Sequence, residues 1–406
     1  MKRLLFCCLL LSMATGVFAQ KKVIAQARTF IKSGKNLDQA ERLMSNLLED
    51  SANLGNEKIW LALQDAVKKQ YDQGNEKLYL KQKYDTASLF TIARKLFLIC
   101  ERFDSVEARP DAKGRVKLTH RPKNAAMLNG LRPNLYNGGS FFLKKSDFKD
   151  AWAFYDTYLD CAKQPIFGDY QYALTDSLSL SAAYWALYSG YRLNDFGKVM
   201  KYRELAEKDS TRLENVLQYV ATTFLLKGDT AKYVETLKRG FECKPANRFF
   251  FPRIIDYFNS RLLTDSATAF IDNAIATDST NAIFLFAKSS ALLNAGQYEQ
   301  CVDITERLLA ADDSMPEAYC NMGLAYYNQA VELERSMKRS RKKKEAVNQL
   351  YEKSRPYMEK FREMAPEHKE KWVPALYAIY LNLNKGKEFE EIDRIRGTIT
   401  EKKTVE

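Results

Sequence analysis

Histidine is almost missing from this sequence, which has only His120 and His368 in 406 residues. Neither stands in a motif that pairs it with a serine or cysteine nucleophile, and no G-x-S-x-G elbow is present. The zinc-binding spacings H-E-x-x-H and paired C-x-x-C are absent, as is a phosphate-cradling glycine loop. The sequence therefore predicts a non-enzymatic protein with no cofactor, no metal and no catalytic residues. A glycosidase-like pair among the many carboxylates is a minor alternative.

Cysteine is also scarce, with seven residues, of which five follow residue 19. Five is an odd number and no two of them are closely spaced, which argues against a disulfide framework or a zinc knuckle. We interpret the five as small buried apolar side chains. A long-range disulfide is the alternative.

Residues 1–19 have the three parts of an export signal. They contain a charged start at Lys2, an apolar core over residues 4–13 and a small-residue cleavage site that ends at Ala19. The core is shorter than the roughly 20 residues that span a bilayer, and no later segment is typical of a transmembrane helix. The cleavage point has no cysteine for a lipid anchor. We expect cleavage near Ala19 and a soluble protein in the periplasm.

Basic residues outnumber acidic ones by 63 to 51, but the excess is mostly local. A run of ten residues holds seven cations and no acidic residue. Such a run could contact phosphates, but export makes nucleic acid a poor partner. We expect it to meet an anionic envelope surface or to be a solvated tip. The predicted basic spur residues are Arg335, Lys338, Arg339, Arg341, Lys342, Lys343 and Lys344.

A pattern recurs every 34 residues across residues 214–313. At that step Leu285-x3-Ser289-x2-Leu292 maps onto Tyr319-x3-Gly323-x2-Tyr326, and turns open at Ser279 and Asp313. Two amphipathic runs and two turns in such a period are typical of a helical-repeat solenoid. On these residues the chain resembles the tetratricopeptide repeat (TPR) family, in particular an exported bacterial TPR protein.

The resemblance implies an all-α fold, a right-handed superhelix of antiparallel helix pairs with loop insertions and one extended helical spur. It covers residues 132–395 well and 22–104 only loosely. We assign a signal peptide at 1–19, N-terminal helical repeats at 20–104, a basic loop or hairpin insertion at 105–123, a TPR-like repeat at 124–165, a loop insertion at 166–179, consecutive TPR-like repeats at 180–315, a repeat at 316–368 with the basic helical spur at 329–353, a terminal repeat at 369–398 and a tail at 399–406. Arg115–Thr119 alternates like a short strand within the first insertion.

In TPR arrays the first helix of each pair lines a concave groove, and the resemblance places the fifth, ninth, twelfth and thirteenth residues of a repeat there. Tyrosine and arginine are common in binding hot spots. The alternative is that these aromatic residues pack against the next repeat or an inserted loop. The predicted groove residues are Tyr136, Lys144, Tyr184, Tyr188, Tyr191, Arg192, Phe286, Asn294 and Tyr327. The lysine and asparagine clamp with which some TPR domains hold acidic C-terminal peptides is absent.

These observations predict a non-enzymatic exported scaffold that binds a peptide or protein segment in its concave groove. A protein that binds envelope glycan or lipid through the aromatic groove and the spur is the main alternative. A carboxylate-dependent hydrolase is a weaker one. A long open channel would favour a peptide, and a closed pocket would favour a small ligand. The sequence leaves the partner and the oligomeric state open.

Overall fold

The computed structural model describes residues 20–111, 113–336 and 340–405, with side chains through residue 397. All regular secondary structure in these ranges is helical. The predicted signal peptide at 1–19 lies outside the described residues. The chain divides into two units, Met1–Thr236 and Leu237–Glu406, which are described in turn.

The first unit is built from antiparallel helix pairs joined by short turns. Its helices are α1 (20–33), α2 (Leu37–Leu47), α3 (Glu57–Tyr79), α4 (Thr86–Glu107), α5 (Arg121–Leu131), α6 (Pro133–Lys144), α7 (Phe148–Asp160), α8 (Tyr172–Thr175), α9 (Ser179–Arg192), α10 (Phe196–Lys201), α11 (Arg203–Ala206) and α12 (Leu213–Lys227). Short 3₁₀ helices occupy Ser51–Asn53 and Pro165–Tyr170. The boundary between the units falls inside α13 (Thr230–Cys243).

A left-handed residue marks the turn inside successive repeats. The angle φ is positive at Asn194, Gly228, Leu262 and Gly296, which follow one another at steps of 34 residues. Glycine and asparagine adopt this conformation at the lowest steric cost. After Asn194, the side chain of Asp195 accepts a hydrogen bond of 3.0 Å from a backbone amide and so caps the following helix. The predicted 34-residue period is therefore present in the backbone itself.

Small residues let the two helices of a repeat approach closely. A Cβ atom added to Gly139 would lie only 2.8 Å from the Tyr155 ring. In the second unit, a Cβ added to Gly323 would lie 2.4 Å from Sδ of Met358. The two members of a pair are 16 residues apart in the first case and 35 in the second. The second pair therefore has 19 more residues between its members, in the repeat that was predicted to hold the spur.

The basic segment after α4 is a loop, and the prediction of a short strand at Arg115–Thr119 is wrong. α4 continues to Glu107 and α5 begins at Arg121, so the irregular segment is shorter than 105–123. Two hydrogen bonds of 2.7 and 2.8 Å from Arg121 to Asp104 join the two helix ends. The alternating residues have no neighbouring strand among the described residues, and alternation alone does not satisfy the backbone of an isolated strand.

The insertion at 166–179 folds onto the first unit. It forms the 3₁₀ helix Pro165–Tyr170 and the short helix α8, and it buries Phe167 and Tyr172. The guanidinium carbon of Arg132 lies 3.9 Å from the ring centroids of both Tyr158 and Tyr172. This segment is therefore packed, although the sequence predicted only a loop.

The second unit repeats the same paired arrangement. Its helices after α13 are α14 (Phe250–Ser260), α15 (Thr264–Thr277), α16 (Ala282–Asn294), α17 (Tyr298–Ala311), α18 (Pro316–Ser336), α19 (Arg341–Met364), α20 (Lys369–Asn382) and α21 (Gly386–Val405). Phe251 packs against the rings of Phe241, Phe270 and Phe284 at centroid distances of 6.0, 5.9 and 4.5 Å. These rings fill the space between neighbouring helices.

Of the predicted helical spur, residues 329–336 lie in the long helix α18 and residues 341–353 lie in the long helix α19. α19 has 24 residues and passes through Pro356 without interruption. Ala330, Val347 and Tyr351 are buried in one cluster with Leu376 of α20. The inner part of the spur is therefore packed within the unit, and most of its exposed residues lie at the end of α18 and the start of α19.

Candidate binding surfaces

A groove in the second unit lies among α14, α15 and α16. Its cavity volume is about 600 Å³. Apolar side chains supply much of the lining, and polar side chains supply the rest. The residues that matter here are Phe251, Ile255 and Asn259 of α14, and Phe286, Ser290 and Asn294 of α16. The groove thus includes Phe286 and Asn294, two of the residues that the sequence predicted.

The local sequence of α16 explains how this face of the groove forms. The side chain of Asn281 accepts a 3.1 Å hydrogen bond from the amide of Ile283 and caps the start of the helix. Ala287 and Ala291 then lie one helical turn apart on the groove face, where small side chains leave room for another chain. Ser289 is buried on another face of the helix.

A cluster of tyrosines forms a second surface, in the first unit. We define the tyrosine cluster as Tyr184, Tyr188, Tyr191 and Tyr219. The Tyr219 ring centroid lies 6.4 Å from Tyr184, 5.4 Å from Tyr188 and 4.7 Å from Tyr191, on which it stacks. Three of these residues were predicted from the sequence and Tyr219 was not. Tyr219 follows Gln218, which is the fifth residue of its repeat and so holds a position expected to line the groove. The repeat register therefore pointed to the residue next to Tyr219.

Arg192 closes one side of the tyrosine cluster. Its Nη1 atom donates a 2.7 Å hydrogen bond to the hydroxyl of Tyr188, and its guanidinium carbon lies 4.3 Å from the Phe148 ring centroid. Burial, followed by hydrogen bonding with Tyr184, raises the pKa of Tyr219, so its hydroxyl stays neutral at physiological pH. The cluster can offer ring faces, hydroxyl groups and one exposed cation.

Tyr184 is buried, with only 6% of its surface exposed, which corrects its assignment as an exposed groove contact. The half-buried Tyr136 packs edge-on against Tyr155 and places its hydroxyl 2.9 Å from Oγ of Ser181. The half-buried Tyr327 packs 5.9 Å from Tyr351. Tyr136 and Tyr184 thus contact residues of the following repeat, as the alternative expected, whereas Tyr327 packs within its own repeat. Tyr188 and Tyr191 are half-buried, and Lys144 and Arg192 are exposed.

Four of the predicted basic spur residues line a third cavity, between the end of α18 and the start of α19. Its volume is about 710 Å³, and Arg335, Arg341, Lys343 and Lys344 line it. Lys342 is exposed and does not line the cavity. Lys338 and Arg339 lie outside the described residues.

Each of the two histidines contacts a side chain of a nearby helix. His120 Nδ1 lies 2.6 Å from a carboxylate oxygen of Glu107, and the ring of His368 stacks on Phe361 with centroids 6.3 Å apart. Within the described ranges, no three histidine, cysteine or acidic side chains come close enough together to hold a metal ion.

The five described cysteines are free, so the alternative of a long-range disulfide among them is wrong. Cys100, Cys161, Cys301 and Cys320 are buried, as expected from the sequence, whereas Cys243 is exposed. Burial raises the pKa of Cys100 to about 12 and that of Cys320 to about 11. These two thiols therefore remain protonated and unreactive at neutral pH.

The paired helices and the 34-residue recurrence of the turn residues make this chain a TPR-like helical-repeat protein. No helix in the described part of the chain combines the length and the apolarity needed to cross a membrane. No family model and no curated protein matches the sequence.

Solved structures of low identity are similar to the chain. One is the C-terminal part of a TPR repeat-containing protein from Cytophaga hutchinsonii, with 13% identity and a TM-score of 0.41, over 63% of this chain and 92% of that one. Another is the human IFIT1 dimer with m7Gppp-AAAA, with 11% identity and a TM-score of 0.36, over 76% and 72%. The TPR domain of P58(IPK) aligns over 90% and 99% with 12% identity and a TM-score of 0.30.

Proposed function

We propose that the protein is a non-enzymatic scaffold of the cell envelope that binds a peptide or protein segment in the groove among α14, α15 and α16. The observation that carries this proposal is the groove itself, about 600 Å³ in volume, with Phe286, Ser290 and Asn294 on its α16 side. These positions are where the TPR register expects groove contacts. An occupant of this groove would touch the first helices of two successive repeats.

The chemistry of the groove suits a polypeptide. The half-buried Ile255 and Phe286 can take apolar anchor side chains, and their burial contributes about 25 cal/mol per Å² of apolar surface removed from water. The side-chain amides of Asn259 and Asn294 form no hydrogen bond with other described residues. A side-chain amide both donates and accepts, so each can pair with a peptide bond of the bound segment.

The envelope location rests on the sequence pattern of residues 1–19, which has the charged, apolar and cleavage parts of an export signal. Cleavage near Ala19 would release the helical repeats into the periplasm. The envelope is therefore the compartment in which to look for the bound segment.

Site-specific photo-crosslinking in living cells tests the groove. A photoreactive phenylalanine derivative is placed at Ser290 inside the groove and, as a control, at Glu306, an exposed residue of α17 that does not line it. We expect the groove position to crosslink to one defined segment of a partner protein, mapped by mass spectrometry. The control position should not capture that segment.

A blocking variant completes the test. Ala291→Trp fills the groove with a large side chain and should remove the crosslink, whereas Glu306→Trp, with the same added bulk on α17, should leave it intact. Capture of the same segment from both crosslinker positions would contradict the proposal. So would an undiminished crosslink in Ala291→Trp protein that retains its helical circular dichroism.

A glycan of the envelope is a second candidate ligand, favoured by the tyrosine cluster. Half-exposed ring faces at Tyr188 and Tyr191 beside the guanidinium of Arg192 offer stacking surfaces with polar edges. Co-sedimentation with purified peptidoglycan sacculi tests this candidate. Binding that is lost in Tyr191→Ala/Arg192→Ala but kept in Ala291→Trp would assign the glycan to the cluster and leave the groove to a peptide.

A further inference from the structure

The end of α18, the start of α19 and the end of α20 line a cavity of about 710 Å³ that the proposed function does not use. α18 supplies Glu334 and Arg335, α19 supplies Arg341, Lys343 and Lys344, and Asn382 comes from the end of α20. Three consecutive helices thus meet around one concave, strongly cationic space.

The charges of this cavity are not balanced by its own acidic residues. Glu334 is the sole carboxylate of the described lining, against four cations. Arg341 is paired outward with Glu345 at 3.0 Å, and Nζ of Lys343 donates a 2.6 Å hydrogen bond to the backbone carbonyl of Glu334. Arg335 and Lys344 are exposed and form no ion pair with any described residue. These two cations are available to a ligand.

Lys343 shows that the cavity is a built feature of the paired helices. The residue is only 9% exposed, the reverse of what a solvated basic tip would show. The cost of burying an ammonium group is offset by its hydrogen bond to the Glu334 carbonyl, which ties α19 to α18. A buried cation therefore holds the wall of the cavity in place. Arg335 lies on its α18 side and Lys344 on its α19 side.

We propose that this cavity binds the phosphoryl group of a phosphorylated small molecule or of a lipid headgroup. Two available cations match the charge of a phosphoryl dianion, whereas a carboxylate would neutralise just one of them. Arginine in particular presents a planar fork of donors that fits phosphate oxygens. The side chain of Asn348 can donate to a further oxygen, and the buried Val347 offers an apolar contact for the organic part. The volume lies in the range of ordinary small-ligand pockets.

The test compares two double variants that remove the same charge. Arg335→Gln/Lys344→Gln changes the two available cations, and Lys369→Gln/Lys387→Gln changes two exposed lysines of α20 and α21 that do not line the cavity. The first probe is inorganic pyrophosphate, measured by calorimetric titration at low and at physiological salt. The second is vesicles of phosphatidic acid in phosphatidylcholine, whose headgroup is a phosphomonoester, measured by co-sedimentation against vesicles of phosphatidylcholine alone.

We expect wild-type protein to bind at least one probe, with an affinity that falls as salt rises, and the cavity variant to bind at least tenfold more weakly. The control variant should bind like the wild type.

Binding of pyrophosphate would indicate a soluble ligand, and binding of the vesicles alone would indicate a lipid headgroup. An equal loss in both double variants would show attraction by net charge only and overturn the proposal. Absence of binding to both probes would overturn it as well. Ala291→Trp should bind these probes normally, which separates this site from the groove.

Discussion

Oγ of Ser354 donates a 2.6 Å hydrogen bond to the backbone carbonyl of Gly323, 31 residues earlier in the chain. In the preceding repeat, Sγ of Cys301 donates to the carbonyl of Ser289 across 12 residues, at 3.3 Å. The same two places of the repeat are joined in both cases. The 19 extra residues between Gly323 and Ser354 are therefore inserted inside a repeat whose helix contact is preserved.

Ser354 makes this contact measurable. Ser354→Ala removes the donor and should lower the free energy of unfolding by about 1 kcal/mol, the typical net value of one hydrogen bond. Ser354→Val adds bulk at a fully buried position, and overpacking should cost about 1–3 kcal/mol. Urea denaturation measures both. The control is Ser336→Ala, which removes an exposed hydroxyl near the end of α18 and should change stability by less than about 0.5 kcal/mol. Equal effects at the two serines would contradict the role given to Ser354.

Leu262 is poorly suited to its backbone conformation. Its φ is +55°, and 88% of its side chain is exposed. The equivalent turn positions in neighbouring repeats hold Asn194, Gly228 and Gly296, which adopt this conformation at lower cost. Leu262→Asn should therefore raise the free energy of unfolding by about 1 kcal/mol, measured as a shift in the thermal midpoint. The matched change Leu263→Asn, at the next residue, does not act on a left-handed backbone and should not give this increase. An equally large increase in the thermal midpoint for Leu263→Asn would refute the explanation.

Gly139 and Gly130 form a matched pair in the first unit. A Cβ at Gly139 would meet the Tyr155 ring at 2.8 Å, whereas a Cβ at Gly130 would have no neighbour within 4 Å. Gly139→Ala should cost about 1–3 kcal/mol because the buried Tyr155 must move. Gly130→Ala, in helix α5, should stabilise by up to about 1 kcal/mol through helix propensity. Chemical denaturation of the two variants should give opposite signs, and the same sign would count against close helix packing at Gly139.

The period of the fold could be predicted because small residues and turns fall at fixed places of each repeat. Ser289 and Gly323 identify the close helix contact from the sequence alone. The structure of the two insertions was harder to predict from the sequence, because it depends on contacts between residues that are far apart in the chain. The strand predicted at Arg115–Thr119 followed local alternation, while the ion pair between Asp104 and Arg121 sets the ends of the flanking helices.

The candidate surfaces could be predicted only in part. The repeat register located Phe286, Ser290 and Asn294 on one face of α16, because positions on a helix are fixed by its period. It could not show that Tyr184 is buried under its neighbours, nor that Tyr219 completes the tyrosine cluster. Exposure of a side chain depends on what packs over it, and that is decided by residues in other repeats.

Arg132 anchors the insertion at 166–179 by stacking and by charge. Its guanidinium lies between the rings of Tyr158 and Tyr172, and Nη2 donates a 2.6 Å hydrogen bond to Asp176. Arg132→Lys keeps the charge but loses the planar group, so it should destabilise by about 1–2 kcal/mol. Limited proteolysis should cut the insertion faster in this variant. Arg109→Lys, at an exposed site in the loop after α4, is the control and should leave the cleavage rate unchanged.

Glu101 of α4 is a buried carboxyl group whose titration should oppose folding. Burial and, second, the nearby Asp160 raise its pKa to about 8, an effect that Arg94 partly offsets, and its Oε1 forms no hydrogen bond in the described structure. The folded state therefore holds a proton that the unfolded chain releases near pH 4.5, and the contribution of Glu101 to stability falls as pH rises from about 4.5 to about 8. Glu101→Gln removes this titration. Near pH 4 the free energy of unfolding of Glu101→Gln should equal that of the wild type, and at pH 8 it should be higher by about 2 kcal/mol, after allowance for partial hydration of the site.

Urea denaturation across this pH range measures the difference in the free energy of unfolding. The exposed Glu76→Gln is the control, and its difference from wild type should not change with pH in this way. A difference between Glu101→Gln and wild type that stays constant with pH would mean that the carboxyl group is already ionised in the folded protein.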